Sequence, residues 1–196
     1  LSGVAVADTE PPAVPIKSGP TGTVCSGQVE VCWSGTDNAT PESELVYAFR
    51  LDGGQWSDWG SLTCNSFALN HGQHNVDVKA KDIVGNETSD FATRTFQVDV
   101  NGPTISQVQT SPGLTSALVT WTTDEPATSQ VDYGLSDSYG SSTLLDSAFV
   151  TSHSVTITGL DSNATYHCRV RSSDACDHES ASTDLTFTTL PDTIPP

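Results

Sequence analysis

Few residues of this 196-residue chain are suited to chemistry: five histidines, five cysteines, and 24 carboxylates against seven Lys and Arg. Nucleophilic catalysis would need a Ser or Cys held beside a His. No Gly-x-Ser-x-Gly elbow occurs and the histidines are scattered, so no catalytic residue is assigned and no enzyme is expected. His71 and His74 in His-Gly-Gln-His are spaced so that they could share a metal, but a Gly-containing turn before a strand is the commoner reason for that spacing. Cys176-Asp177-His178 brings one His and no paired CxxC, which is a weak metal set. Carboxylates and their amides remain. Calcium takes six to eight oxygens, and Asp82 and Asn86 in one loop, with Asp99 and Asn101 at the exit of the same domain, are the residues assigned to it. Asp8, Glu10, Asp37 and Asn38 are an equivalent set at the other junction. The competing reading is that Asp82 only caps its turn by accepting backbone N–H bonds. No other cofactor is expected.

Exposed tryptophans can stack on sugar rings, which brings Trp56, Trp59 and Tyr139 forward as glycan contacts. Strand alternation puts positions 56 and 59 on opposite faces, so packing is the preferred role for the two tryptophans. Arg169 and Arg171 point the same way on one strand and are expected to pair with neighbouring acids. Asn38-Ala-Thr40, Asn86-Glu-Thr88 and Asn163-Ala-Thr165 are acceptor patterns for N-glycosylation.

The net charge of −17, with three lysines, repels a phosphate backbone, and nucleic-acid binding is excluded on that ground. No apolar run is long enough for a membrane span. Five cysteines without CxxC suit an oxidising, extracellular compartment, with at least one thiol left over by the odd count.

The elements that must position these groups are strands. Apolar residues alternate in Val29, Val31 and Trp33 and in Leu45, Tyr47, Phe49 and Leu51, where Asp52-Gly53 follows as a hairpin turn. Further strands are expected at 75–79, 91–98, 117–122, 129–133, 154–158, 166–171 and 185–189. The landmarks also repeat. Trp33 and Trp121 are 88 residues apart, each followed by an acidic turn, and Lys79-Ala-Lys-Asp82 and Arg171-Ser-Ser-Asp174 are 92 apart. A repeat of that length with about seven short strands per copy implies an all-β chain of two tandem immunoglobulin-like or fibronectin type III-like β-sandwiches.

Residues 103–190 resemble a fibronectin type III domain. The matching residues are Trp121 and Gly159-Leu160-Asp-Ser-Asn-Ala-Thr-Tyr166, similar to that family's tyrosine corner. Thr122-Thr-Asp-Glu-Pro-Ala-Thr-Ser-Gln-Val-Asp-Tyr133-Gly134 resembles the subgroup found beside purple acid phosphatases and in secreted bacterial proteins. That resemblance implies no catalysis, because the phosphatase activity sits in a separate metal-binding domain. Residues 8–100 resemble a bacterial Ig-like domain through Asp8-Thr-Glu-Pro-Pro12, Trp33-Ser-Gly-Thr-Asp-Asn38, Phe49-Arg-Leu-Asp-Gly-Gly-Gln-Trp56 and Ala80-Lys-Asp-Ile-Val-Gly-Asn86. Residues 101–102 are the linker. Asp192-Thr-Ile-Pro-Pro196 repeats the opening motif, so residues 191–196 read as a linker or the start of a further domain. Residues 1–7 read as an added strand or the tail of a preceding element, since Val4 and Val6 alternate with small residues, although Ala5-Val6-Ala7 also resembles a signal-peptidase site.

Alternation places Cys32 outward beside Val31 and Trp33, and Cys64 outward three residues before Phe67, so a Cys32–Cys64 disulfide is expected, with Cys25 as the competing partner. Cys168 shares a face with Tyr166 and Val170 and is expected in the core; a bridge to Cys176 is the lesser alternative. These readings lead to a non-enzymatic, extracellular structural or adhesive segment of a tandem-domain cell-surface or filament protein, with neighbouring domains or subunits, and cell-surface glycans, as partners. The rivals are an accessory, sugar-binding segment of a secreted hydrolase and a subunit that assembles by strand addition.

Overall fold

The computed structural model describes residues 8–193, and the chain divides between Val100 and Asn101 into two units. The strand expected in residues 1–7 and the last three residues of the further-domain start, 194–196, lie outside the described residues.

Among the described residues the first unit is a sandwich of seven strands. One sheet has the order β1 (Ile16–Ser18), β3 (Gln28–Trp33), β5 (Cys64–Ala68). The other runs β2 (Thr23–Val24), β7 (Ala92–Val98), β6 (Gly72–Lys81), β4 (Val46–Leu51). Alternation works as the sequence implies. Val29, Val31 and Trp33 of β3 face Tyr47, Val76, Val78, Ala80, Phe96 and Val98 of the opposite sheet, and all are buried. Each large apolar side chain so enclosed contributes about 1.5–3 kcal/mol. Asp52 and Gly53 both have positive φ, as a two-residue hairpin turn needs. Gly35 is required by close approach: a Cβ there would meet Leu45 Cδ1 at 2.7 Å and the Tyr47 hydroxyl that accepts its N–H.

Among its described residues the second unit also has seven strands: β8 (Ile105–Pro112), β9 (Ser116–Gly134), β10 (Ser141–Ser142), β11 (Asp146–Thr158), β12 (Thr165–Ser173), β13 (Glu179–Ala181) and β14 (Leu185–Thr188). The strands expected at 117–122 and 129–133 are one element. The first part of β9 pairs with β8 and β11, and its last part pairs with β10 and β12. Pro126, which has no N–H to donate, sits where the β9–β11 register shifts between Thr122 and Ala127, and the chain passes it extended instead of making the acidic turn expected after Trp121. Trp121, Val131, Ile157, Leu160, Tyr166, Cys168, Val170 and Phe187 form the core. The Asp161 N–H donates to the Tyr166 hydroxyl at 3.0 Å, which is the corner expected from Gly159–Tyr166.

Candidate metal centre

Asp82 follows β6 and opens the turn to β7. Val84, Gly85 and Asn86 donate backbone N–H bonds to its Oδ1 at 3.0, 2.6 and 2.8 Å, and the Asn86 side-chain amide donates to its Oδ2 at 2.7 Å. Burial opposes ionisation of this carboxyl, but the donated bonds outweigh it and hold the group below the usual carboxylate range. Asp37, in the loop between β3 and β4, caps its own turn with Oδ1, which accepts from the backbone of Ala39 and Thr40 at 3.0 and 2.7 Å. Asp8 does the same for Glu10 at 3.1 Å.

Three separate segments thus bring their carboxylates to one place. An oxygen from each of Asp8, Asp37 and Asp82 lies within 4.8 Å of the others. The second oxygens of Asp8 and Asp37 are buried and have no hydrogen-bond partner. Buried carboxylate oxygens without donors are costly, and mutual repulsion adds to the cost. A calcium ion at 2.3–2.6 Å from each ligand would relieve both, because oxygens on opposite sides of its sphere stand about 5 Å apart. Asn86 braces the site and also donates to the carbonyls of Asp8 and Glu10 at 3.3 and 3.4 Å. Asn38 donates to Glu10 at 3.0 Å, and Ala13 and Thr36 exchange backbone bonds of 2.9 Å, which ties residues 8–13 to the same loops.

The structure corrects the grouping of these acids. Asp82 lies past the end of β6, while Asp99 follows Val98, the partner of Gly72 at the start of β6. Ten residues of strand separate the two by roughly 30 Å. Asp99, and with it Asn101 two residues further on, therefore belongs to no site with Asp82 and Asn86. His71 and His74 are also not brought to a shared metal: Nδ1 of His71 is 3.2 Å from Asp99, and Nδ1 of His74 is 2.8 Å from Asp52.

Cys32 and Cys64 sit directly opposite in the β3–β5 ladder and are bonded to each other rather than to Cys25. Cys168 is a thiol enclosed in the core, and burial pushes its pKa to about 11.

The tryptophans depart from the alternation argument. Residues 54–59 form no strand; this segment returns along β4, with Ser57 N–H donating to Phe49 and Gly60 exchanging bonds with Tyr47. Trp56 and Trp59 consequently lie on one face, where Lys79 Nζ is 5.0 and 4.7 Å from their rings. Arg50 stands over Trp56 and Phe91, and Lys81 over Trp59, giving the series Phe91, Arg50, Trp56, Lys79, Trp59, Lys81. Tyr139, in the second unit, has Arg169 5.0 Å from its ring and borders an open groove of about 500 Å³ with Tyr133, Leu135, Leu160 and Tyr166. Arg169 and Arg171 pair with Asp132 and Glu179, as expected. Of the three glycosylation patterns, Asn163 is exposed in a turn at φ 53°, while the Asn86 amide is engaged as described.

Comparison with known proteins bears on the second unit first. Residues 104–189 match the family model described as the purple acid phosphatase N-terminal domain, a fibronectin III-like domain. No curated protein matches. Among solved structures, domains A168–A170 from titin are similar with a TM-score of 0.53 and 14% identity over 92% of this chain and 67% of that one. The FN1–FN3 domains of chicken CNTN1 give a TM-score of 0.42 and 15% identity over 92% and 66%. The chain spans about two thirds of the length of these structures. The likeness to the titin domains supports the tandem β-sandwich fold. Among the described residues no helix is long and apolar enough to cross a membrane.

Proposed function

We propose that this chain is a non-enzymatic, extracellular structural segment of a tandem-domain surface protein, in which calcium fixes the leading segment of the first sandwich. The convergence of Asp8, Asp37 and Asp82, with two of their oxygens buried and without donors, carries this reading. A cation held there would join residue 8 to two loops that are distant in sequence. Disulfide bonding suits the compartment outside the cell, where calcium is abundant. The match of residues 104–189 agrees with an accessory rather than catalytic role, since the fibronectin III-like fold is shared by many proteins and brings no chemistry of its own.

The test is thermal unfolding and calorimetric titration of the chain with calcium and with chelator, beside Asp37→Asn, which keeps an oxygen to cap the turn but removes the charge. Calcium should raise the midpoint of the parent chain and act weakly on the variant. Identical midpoints with calcium and chelator would leave the three acids as turn formers.

A further inference from the structure

The Cys32–Cys64 bond lies on the outer surface of the β1–β3–β5 sheet, opposite the face that carries Val29, Val31 and Trp33 into the core. Glu30 is two residues before Cys32 on β3 and therefore on the same face, with its Oε1 3.7 Å from the Cys32 sulfur. The carboxylate oxygen and both sulfurs lie within 4.8 Å of one another. Both cysteines are half-buried, so the bond is open to reagents in solution, and the five-residue register from Gln28–Ala68 to Cys32–Cys64 holds the strands together independently of it.

We propose that Glu30, Cys32 and Cys64 form a redox-gated site for a thiophilic divalent cation of the zinc or cadmium class. A dithiol reductant delivers two electrons and two protons to the S–S bond; it leaves as its own disulfide, and the protein gains two thiols. The cation then displaces the two thiol protons and binds two thiolates. At a metal–sulfur distance of about 2.3 Å, tetrahedral geometry sets the sulfurs about 3.8 Å apart. Directly opposed cross-strand side chains, with Cβ atoms about 4.5–5.5 Å apart, reach that separation with the ladder in place. Glu30 supplies the third ligand and water the fourth, the arrangement of an open site. Two soft sulfurs select against calcium, which separates this site from the all-oxygen cluster at Asp8, Asp37 and Asp82. A disulfide oxidant takes the two electrons and, with two protons from solvent, leaves as two thiols; the Cys32–Cys64 bond reforms and the ion is expelled.

The experiment uses the whole chain carrying Cys25→Ser and Cys176→Ser, because those two cysteines are disulfide-bonded as well and would add thiols of their own; it is reduced with excess dithiol, freed of it without air, and titrated with cadmium. Thiolate-to-cadmium charge-transfer absorption reports sulfur ligation, and proton release is measured alongside. One ion per chain, two protons released per ion, and no band in the unreduced protein are expected. Glu30→Gln should weaken binding by more than the roughly 10–100-fold lost when an outer-sphere partner is removed. The double variant Cys32→Ser, Cys64→Ser, treated identically, should give no band. A reduced parent chain without the band, a band that persists in the double variant, unchanged affinity in Glu30→Gln, or loss of the β-sheet circular dichroism on reduction before metal is added would each overturn the proposal.

Discussion

The imidazole of His153 lies flat on the indole of Trp121, with ring centroids 4.8 Å apart and planes 5° from parallel. His153 is buried, and both ring nitrogens reach hydroxyls of β9: Nε2 is 2.9 Å from Thr123 and Nδ1 is 2.8 Å from Ser129. Thr123 already donates to the Glu125 carbonyl at 2.7 Å, so it accepts from Nε2–H, and Ser129 donates to Nδ1. Neutral imidazole satisfies this arrangement.

Burial lowers the His153 pKa, only partly opposed by Asp146, so the unfolded chain binds the proton more readily than the folded one. The second unit should therefore hold its full stability above pH 6.5, lose it as pH falls below that value, and lose no more from this group once pH is below the folded pKa. Thermal midpoints from pH 8 to pH 4.5 for the parent and His153→Gln test this: the fall should be smaller in the variant. Parallel curves would remove His153 as the cause.

His74 should act with the opposite sign on the first unit. Its ring lies between the Asp52 carboxylate at 2.8 Å and the Asn70 carbonyl at 3.0 Å, two acceptors that favour the protonated form, and the Asp52 bond raises its pKa. Its contribution is complete below pH 6.5 and disappears as pH rises through the folded value. His74→Gln should flatten that part of the profile. NMR titration of the His74 ring giving a midpoint at or below 6.5 would contradict it.

Trp59 should be a stability residue rather than a sugar platform. Lys81→Met removes one cation–π contact at 4.2 Å and is expected to cost about 0.5–1 kcal/mol, while Trp59→Ala also loses the Lys79 contact and buried ring area and should cost more. Denaturant unfolding measures both. Unchanged stability in Trp59→Ala, together with lost binding on a glycan array, would favour the sugar-binding rival.

Expressed in a host that glycosylates secreted proteins, Asn163 should carry glycan and Asn86 should not. The Asn86 amide donates to Asp82 and to the carbonyls of Asp8 and Glu10, and a sugar on that nitrogen would break the brace. Glycopeptide mass spectrometry reads occupancy at each position, and high occupancy of Asn86 in folded protein would contradict the arrangement.

The sandwich core and the Cys32–Cys64 pair were legible because strand parity alone decides which way Val31, Cys32 and Trp33 point. Parity failed at Trp56 and Trp59 because it holds only inside a strand, and their segment is an irregular return along β4. The acids of the metal centre could be recognised as oxygen donors, but not grouped. Which of them meet depends on which loops share an end of the sandwich, and that follows from the β6–β7 register, which carries Asp82 and Asp99 to opposite ends. The unpartnered oxygens of Asp8 and Asp37 have no sequence signal at all, since satisfaction of a donor or acceptor is a property of the folded surroundings.

β9 belongs to both sheets of the second unit, and neither sheet can peel away while the other still grips the shared backbone. Opening of this unit is consequently a single cooperative event. The amides of Val119 and Val131, at the centres of the two halves of the strand, should exchange their hydrogens with solvent at the same free energy, equal to that of global unfolding.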